Sequence, residues 1–497
     1  CDEQIRLSMR LLATLPDDLE GPAWQSLTNL ADEYSSWIQQ NRDDANLLTP
    51  ELRAVAIRHL DVCNACLCRI NAGITALRND QHVRTAFKLA NLSMLLQQIT
   101  TKQLSKRPLR WDQSSNLVVP DGDYKTPWDV YQQGNENSDL GLWRAFQMAF
   151  LLMSIGGVSN GYDPDREIVD LIWFPTGGGK TEAYLAVMAF YMFHQRLLMQ
   201  DDDNTPKRDG TNVLMRYTLR MLTTQQFQRA ASLICAMEYL RRNPTYHGMG
   251  DIPGKRFSLG LWIGSAASPN DVAQAKTDVG RFRQGHIQGN PLILTECPWC
   301  KAEIGRYKAN TPPRGVRQNQ WNNMRTRGIS DVNAEGPLLH CTDGRCAFGL
   351  ENWEHWIPVE VIDERIYKHP PSLVIATADK FAMIAYRPDA GAIFGRNTVN
   401  NEKRQTHVPP GLIIQDELHL ISGPLGTMYA LYEGIFERLC SYRINARWIK
   451  PKLIASTATI RGAADQVKSL YARDQMQLFP SPGLKMGDSF FGKYARD

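Results

Sequence analysis

The chain has 497 residues, 43% of them apolar, 22% charged and 9% aromatic, with a formal net charge of +4. That length accommodates two or three domains with separate cores, and the composition excludes disordered and collagen-like classes. The mild positive excess permits a nucleic-acid partner without requiring one. No apolar run reaches the roughly 20 residues of a membrane span, which predicts a cytoplasmic protein with no membrane partner.

The chain opens Cys1-Asp-Glu-Gln-Ile-Arg6, without Met or signal architecture, and reads as a piece of a longer polypeptide. Residues 1–125 form an expected N-terminal helical domain. Stretches such as Leu52-Arg-Ala-Val-Ala-Ile-Arg-His-Leu60 and Thr85–Leu96 repeat apolar residues at three- and four-residue steps. Within and beyond its end, Trp111 to Asn137 is rich in Pro, Gly, Asp and Asn and reads as a linker or docking loop. Cys63, Cys66 and Cys68 fall inside a helical run, where small buried cysteines are a better reading than a metal site.

The texture then changes. Short apolar runs begin at Val169, Asn212, Ser258, Ser372, Gly411 and Pro451, and amphipathic helical stretches separate them. Buried strands alternating with helices predict an α/β fold with a parallel sheet. The sheet is divided into a first part, residues 126–290, and a second part, residues 358–465. Between them, residues 291–357 are rich in Cys, Trp, Arg and Gly and read as an inserted module.

Phe174-Pro-Thr-Gly-Gly-Gly-Lys-Thr181 follows an expected strand and precedes a helical run that starts at Glu182. Gly177, Gly178 and Gly179, with Pro175 and Thr176, would let backbone N–H groups approach phosphates, and the helix N-terminus favours negative charge. Lys180 would neutralise the terminal phosphates of ATP and Thr181 would ligate Mg²⁺, with Glu182 beside them. A chance glycine-rich turn is the competing reading; the strand–loop–helix context speaks against it.

Leu412-Ile-Ile-Gln-Asp-Glu-Leu-His419 places Asp416 and Glu417 at the end of an apolar strand, where ligands of open α/β sheets sit. Asp416 would hold Mg²⁺ and Glu417 would orient and deprotonate the attacking water. His419 would couple hydrolysis to a neighbouring hydroxyl pair, Thr457 and Thr459, in Ser456-Thr-Ala-Thr-Ile460. Upstream, Trp143-Arg-Ala-Phe-Gln147 resembles an adenine-reading element built from Arg144 and Gln147. Arg216-Tyr-Thr-Leu-Arg220 and the following Gln226 resemble a phosphate-contacting motif, with Arg216, Thr218, Arg220 and Gln226 on one nucleic-acid strand. Thr377 and Lys380, after another strand, are softer candidates for the same contacts, as is Trp262-Ile-Gly-Ser265. The order of these elements is that of the first RecA-like, P-loop lobe of a superfamily 2 helicase.

Cys297-Pro-Trp-Cys300 and Cys341-Thr-Asp-Gly-Arg-Cys346 give C-x2-C and C-x4-C, the knuckle spacing of a structural Zn²⁺ site. The segment between them is basic (Arg306, Lys308, Arg314, Arg317, Arg325, Arg327) and poor in apolar residues, so a metal staple would order it. A nucleic-acid clamp and a docking surface are both open roles for the module.

The strings Trp173–Tyr184, Leu214–Arg220 and Gln415–Gly426 closely resemble the DrmA family, superfamily 2 helicase-like proteins of the DISARM bacterial anti-phage defence system. The resemblance extends from about residue 140 to 465. It implies an ATP hydrolase that engages invading DNA, single-stranded or as a tailed duplex, beside a partner similar to DrmB. Such motors close ATP between two lobes. Residues 466–497 read as the start of a connection to a second lobe that carries the arginine fingers, and hydrolysis without those fingers would be slow by roughly 10³–10⁵. An ATP-gated nucleic-acid-binding sensor or scaffold without strand separation is the alternative reading. RNA is a weaker alternative substrate.

Overall fold

The computed structural model describes residues 7–134, 137, 140–174, 177–200, 202, 205–217, 224–264, 268–349, 352–377, 380–381, 383–457, 462–485 and 487–493, with the side chains of residues 224 and 493 excepted. In chain order the main elements are α1 (Pro22–Ala45), α2 (Pro50–Asn79), α3 (Gln81–Gln98), β1 (Leu109–Asp112), β2 (Leu117–Pro120) and α4 (Ala145–Ser159). Then come β3 (Val169–Trp173), α5 (Lys180–Leu197), β4 (Val213–Tyr217), α6 (Thr224–Arg242), β5 (Leu259–Trp262), α7 (Val272–Gln284), β6 (Val359–Glu360) and β7 (Leu373–Thr377). The last are β8 (Leu412–Gln415), α8 (Gly423–Leu439), β9 (Tyr442–Ile444), β10 (Arg447–Ile449), β11 (Lys452–Thr457), α9 (Ala463–Tyr471) and β12 (Met476–Phe479).

They fall into two compact units. The first comprises residues 1–94, 141–218 and 408–497; the second comprises residues 95–140 and 219–407. In the first, five strands run parallel in the order β4–β8–β11–β3–β12. β3, β4, β8 and β11 are buried throughout or nearly so, which is why they read as continuous apolar runs rather than alternating ones. β12 lies within 466–497, the segment expected only to begin a connection; it pairs along β3, from Met476 opposite Val169 to Phe479 opposite Ile172.

The N-terminal helices belong to this first unit. Gly73 of α2 is a point of close approach: a Cβ there would lie 2.1 Å from the Leu152 carbonyl oxygen of α4, so only glycine lets the two helices meet. Beneath them, Arg69 of α2 makes a bidentate pair with Asp170 of β3 (2.7 and 2.8 Å), and Lys452 of β11 approaches the same carboxylate at 2.9 Å. All three are buried. The two cations hold the Asp170 carboxyl below its usual range against the opposing effect of burial, while burial pushes the Lys452 ammonium down to about 8. Cys63 and Cys66 are buried on α2 near Pro482 and Ser481, as expected of small helix residues, whereas Cys68 is exposed.

In the second unit, β6, β5 and β7 are parallel, with β5 in the middle. The stretch read as a linker is more structured than expected. β1 and β2 form an antiparallel hairpin, and Leu109 and Val118 share a small core with Trp321, flanked by Trp111, Tyr307, Val316 and Met324. That core was illegible in sequence because it joins two segments far apart in the chain, each with only a few scattered apolar residues. Among the described residues no helix is long and apolar enough to cross a membrane.

Candidate active site and metal centre

β3, β8 and β11 end at one edge of the first unit's sheet, and the chemistry-bearing residues follow those ends directly. Gly177 and Gly179 sit at φ +82° and +92°. Gly179 has a second constraint, since a Cβ would meet the Gln147 side-chain amide nitrogen at 2.6 Å. Arg144 donates to the Gly178 carbonyl at 2.8 Å and Gln147 to the Gly179 carbonyl at 2.9 Å. Gln147 also accepts from the Arg144 backbone N–H at 3.0 Å, closing the first turn of α4. The pair expected to read adenine thus clamps the phosphate loop itself. Phe146, between them, stacks on Phe174 with ring centroids 4.0 Å apart.

Lys180 opens α5, is buried, and donates to the Thr457 carbonyl at 3.2 Å. Asp416 is buried at the end of β8. Its oxygens accept from the Tyr184 hydroxyl at 2.9 Å, from the Glu417 N–H at 2.9 Å, and from the Ser456 hydroxyl in a short contact. With that proton given to Asp416, the Tyr184 oxygen accepts from the Thr181 hydroxyl at 3.2 Å, so it bridges the phosphate loop's threonine and the acidic box. Burial and the nearby Asp416 charge both push the Tyr184 phenol well above its usual range, keeping it a neutral donor. Glu417 takes a left-handed backbone, φ +48°, which a residue with a side chain adopts at a cost. Its carboxylate lies 3.4 Å from His419 Nδ1, and the same nitrogen lies 3.3 Å from the Thr457 hydroxyl.

The structure therefore brings together Arg144, Gln147, Gly178, Gly179, Lys180, Thr181, Asp416, Glu417, His419 and Thr457. Pro175, Thr176, Thr218, Arg220, Thr459 and Ser265 lie outside the described residues. Glu182 lies in the first turn of α5 near Gly179, its carboxylate 3.7 Å from where a Cβ of that glycine would stand. Sequence reasoning missed Tyr184 and Ser456. Tyr184 lies four residues after Lys180, one helical turn on and on the same face, which is the signal that could have found it.

Several expected nucleic-acid contacts need correction. Arg216 is fully buried on β4, paired with Glu433 at 2.6 Å and flanked by Tyr429 and Phe436, so no part of its guanidinium faces a phosphate. A charge on a central strand must be paired inside, and α8 supplies the partner. In the second unit Lys380 is likewise buried and ion-paired with Asp363, and Thr377 is buried at the end of β7. Trp262 is buried with its indole N–H donating to Tyr367 at 2.9 Å, whereas Gln226 on α6 is only half-buried and needs no such correction.

Also in the second unit, the sulfurs of Cys297, Cys300, Cys341 and Cys346 all lie within 4.8 Å of one another, and all four residues are buried. Tetrahedral zinc with Zn–S bonds of about 2.3 Å sets sulfurs about 3.8 Å apart, so the donor set fits Zn²⁺ in number, chemistry and spacing. The surroundings suit thiolates: the Asp343 N–H donates to Cys341 at 3.4 Å, and Arg107 reaches Cys300 at 3.9 Å while pairing with Asp343 at 2.7 Å. Trp299, between the first two cysteines, stacks on Tyr239 of α6 at 4.5 Å, and Arg242 lies over Phe348 at 4.6 Å. The module's basic segment is partly turned inward. Arg325 is buried against the Ala309 carbonyl and Asn310, and Arg306 bonds the Phe282 carbonyl; Lys308, Arg314 and Arg317 stay exposed.

No protein-family profile matches the chain. A curated protein from Bacillus paralicheniformis, described as DISARM protein DrmA, is 34% identical over 94% of this chain. The chain spans 40% of that relative's length. A crystal structure described as that of the DUF1998 helicase MrfA superposes on 71% of this chain and 32% of its own, at a TM-score of 0.33 and 12% identity.

Proposed function

We propose, for a chain that belongs to the DrmA family, the first ATP-binding lobe of a superfamily 2 DNA helicase or translocase acting in anti-phage defence. The observation that carries this is the convergence of Lys180, Thr181, Asp416, Ser456 and Thr457 at adjoining strand ends, tied by the Tyr184 bridge between Thr181 and Asp416. Lys180 would exchange the Thr457 carbonyl for the β- and γ-phosphates of ATP, and Thr181 and Asp416 would hold Mg²⁺. Glu417 would take a proton from the attacking water, with His419 and Thr457 relaying that state to the nucleic-acid contacts. Gly177 to Gly179 would cradle the phosphates with their N–H groups, and Pro175, Thr176 and Glu182 would complete the loop. Arg144 and Gln147 would sense the loop's occupancy before the base edge. Thr218, Arg220 and Gln226 are proposed to hold DNA; Zn²⁺ on Cys297, Cys300, Cys341 and Cys346 would order its own module. A protein similar to DrmB is the proposed partner.

In the full-length protein, Lys180→Ala and Glu417→Gln are each expected to abolish DNA-stimulated ATP hydrolysis. Stimulation retained by both variants would sink the proposal. One observation favours the sensor reading: Lys180 and Asp416 are both satisfied by protein groups, as in a site that rearranges on nucleotide arrival. Movement along tailed DNA separates the two, because only a motor travels.

A further inference from the structure

The hairpin of β9 and β10 lies where β11 begins, at the end of the first unit's sheet opposite the phosphate loop. It turns tightly through Asn445, φ +54°, and pairs Arg443 with Trp448 and Ile444 with Arg447. Ile449 is buried and anchors the ribbon against the Gly161 turn, where a Cβ would come within 3.1 Å of it. Tyr442 and Ile444 are half-buried, and Arg443 and the stretch from Asn445 to Trp448 face solvent. Arg447 and Trp448, being adjacent on a strand, project to opposite sides.

Each side carries an arginine laid over a ring. Arg438 of α8 sits 3.6 Å from the centroid of Trp448, and Arg447 sits 5.5 Å from that of Tyr162. Both rings are 44% exposed. Glu437 and Glu167 are already neutralised by Lys450 and Arg473. Arg438, Arg443 and Arg447 are exposed and have no ion pair among the described residues. Three unneutralised guanidiniums around two accessible rings combine charge for phosphates with faces for unstacked bases, the pairing that single-stranded nucleic acids require.

We infer that this hairpin is a single-stranded nucleic-acid contact, separate from the phosphate-loop edge, with Arg438, Arg443 and Arg447 holding phosphates and Trp448 and Tyr162 stacking bases. It extends the proposed DNA-directed function but does not depend on ATP hydrolysis. The test is a titration of the full-length protein, without nucleotide, into fluorescein-labelled (dT)20 at several salt concentrations. The variants are the triple Arg438→Ala, Arg443→Ala, Arg447→Ala; Trp448→Ala; and Trp448→Phe.

Three lost phosphate contacts should lower the slope of log affinity against log salt by about 2. Trp448→Ala should weaken binding about tenfold, and Trp448→Phe should restore most of it. Bromodeoxyuridine placed in the oligonucleotide should photo-crosslink to Trp448 or Tyr162 in the unaltered protein. Wild-type binding with slope and affinity unchanged in the triple variant, and no crosslink at either ring, overturns the hairpin and leaves the motor reading standing. An equally tight complex with a glutamate 20-mer, lost in the same variants, would also overturn it in favour of an acidic protein surface. The apolar line Met428, Leu431 and Ile435 leading to Arg438 would then be part of that surface. Loss of ATP hydrolysis in the motor variants is a different readout, so the two ideas can fail separately.

Discussion

In the unit with the phosphate loop, five parallel strands lie under long helices, and charges that enter its core arrive in closed groups such as Arg69, Asp170 and Lys452. In the unit with the cysteines the parallel strands number three, and residues 291–357 contribute brief strands, turns and short helical segments such as Gln318–Met324 around four thiols. The first unit draws its order from buried apolar area along regular elements. The cysteine module buries residues such as Trp299, Ile304, Leu339 and Phe348 along with its four thiols, and would lean on a metal held there as well. The two regions should therefore fail under different insults.

Metal removal should give the largest effect. Structural zinc–thiolate binding carries on the order of 10 kcal/mol of folding free energy. Chelation, or Cys341→Ser, is expected to release zinc at one equivalent per chain and expose residues 291–357 and the β1–β2 hairpin to protease, with the phosphate-loop unit still resistant. Zinc content near zero before chelation, or equal proteolysis of both units, would break the comparison.

The next effect belongs to the other unit. Asp170→Asn removes the charge that two buried cations share, and breaking such a group costs about 3–5 kcal/mol. Its denaturation midpoint should fall steeply while zinc stays bound. A midpoint unchanged in that variant would mean the ion group contributes little.

The smallest of the three is a pH effect. His194 is buried and stacked on Phe190, and burial holds its imidazole down to about 4 from the usual 6.5. The unfolded chain therefore takes up the proton first, so stability is intact above about 6.5 and is lost as pH falls toward about 4, levelling below that. The loss is about 3 kcal/mol for this one group. His340, buried in the cysteine-bearing unit, is also pushed down to about 4. His194→Phe should flatten the acid dependence of the phosphate-loop unit and leave that of the other untouched, as read by unit-resolved hydrogen exchange. An unchanged slope in both would refute the assignment.

The strands were legible because central parallel strands are buried on both faces, so Leu373–Thr377 and Leu412–Gln415 appear as unbroken apolar runs. The phosphate loop, the acidic box and the cysteine spacing were legible because their chemistry is local: glycines beside a lysine, carboxylates after a strand, thiols three and five residues apart. The nucleic-acid contacts were less so. An arginine in a motif looks the same whether it faces phosphate or Glu433, and only the packing of α8 against the sheet turned Arg216 inward.

Sequence alone thus determined the order of the elements, the identity of the loop lysine and the paired carboxylates, and the donor set for a metal. Tertiary structure decided what those groups touch. It put Tyr184 between Thr181 and Asp416, turned Gln147 onto the loop, and left Arg438, Arg443 and Arg447 outside. The reason is physical: local patterns fix backbone geometry within a few residues, whereas burial and charge pairing depend on segments far apart in the chain.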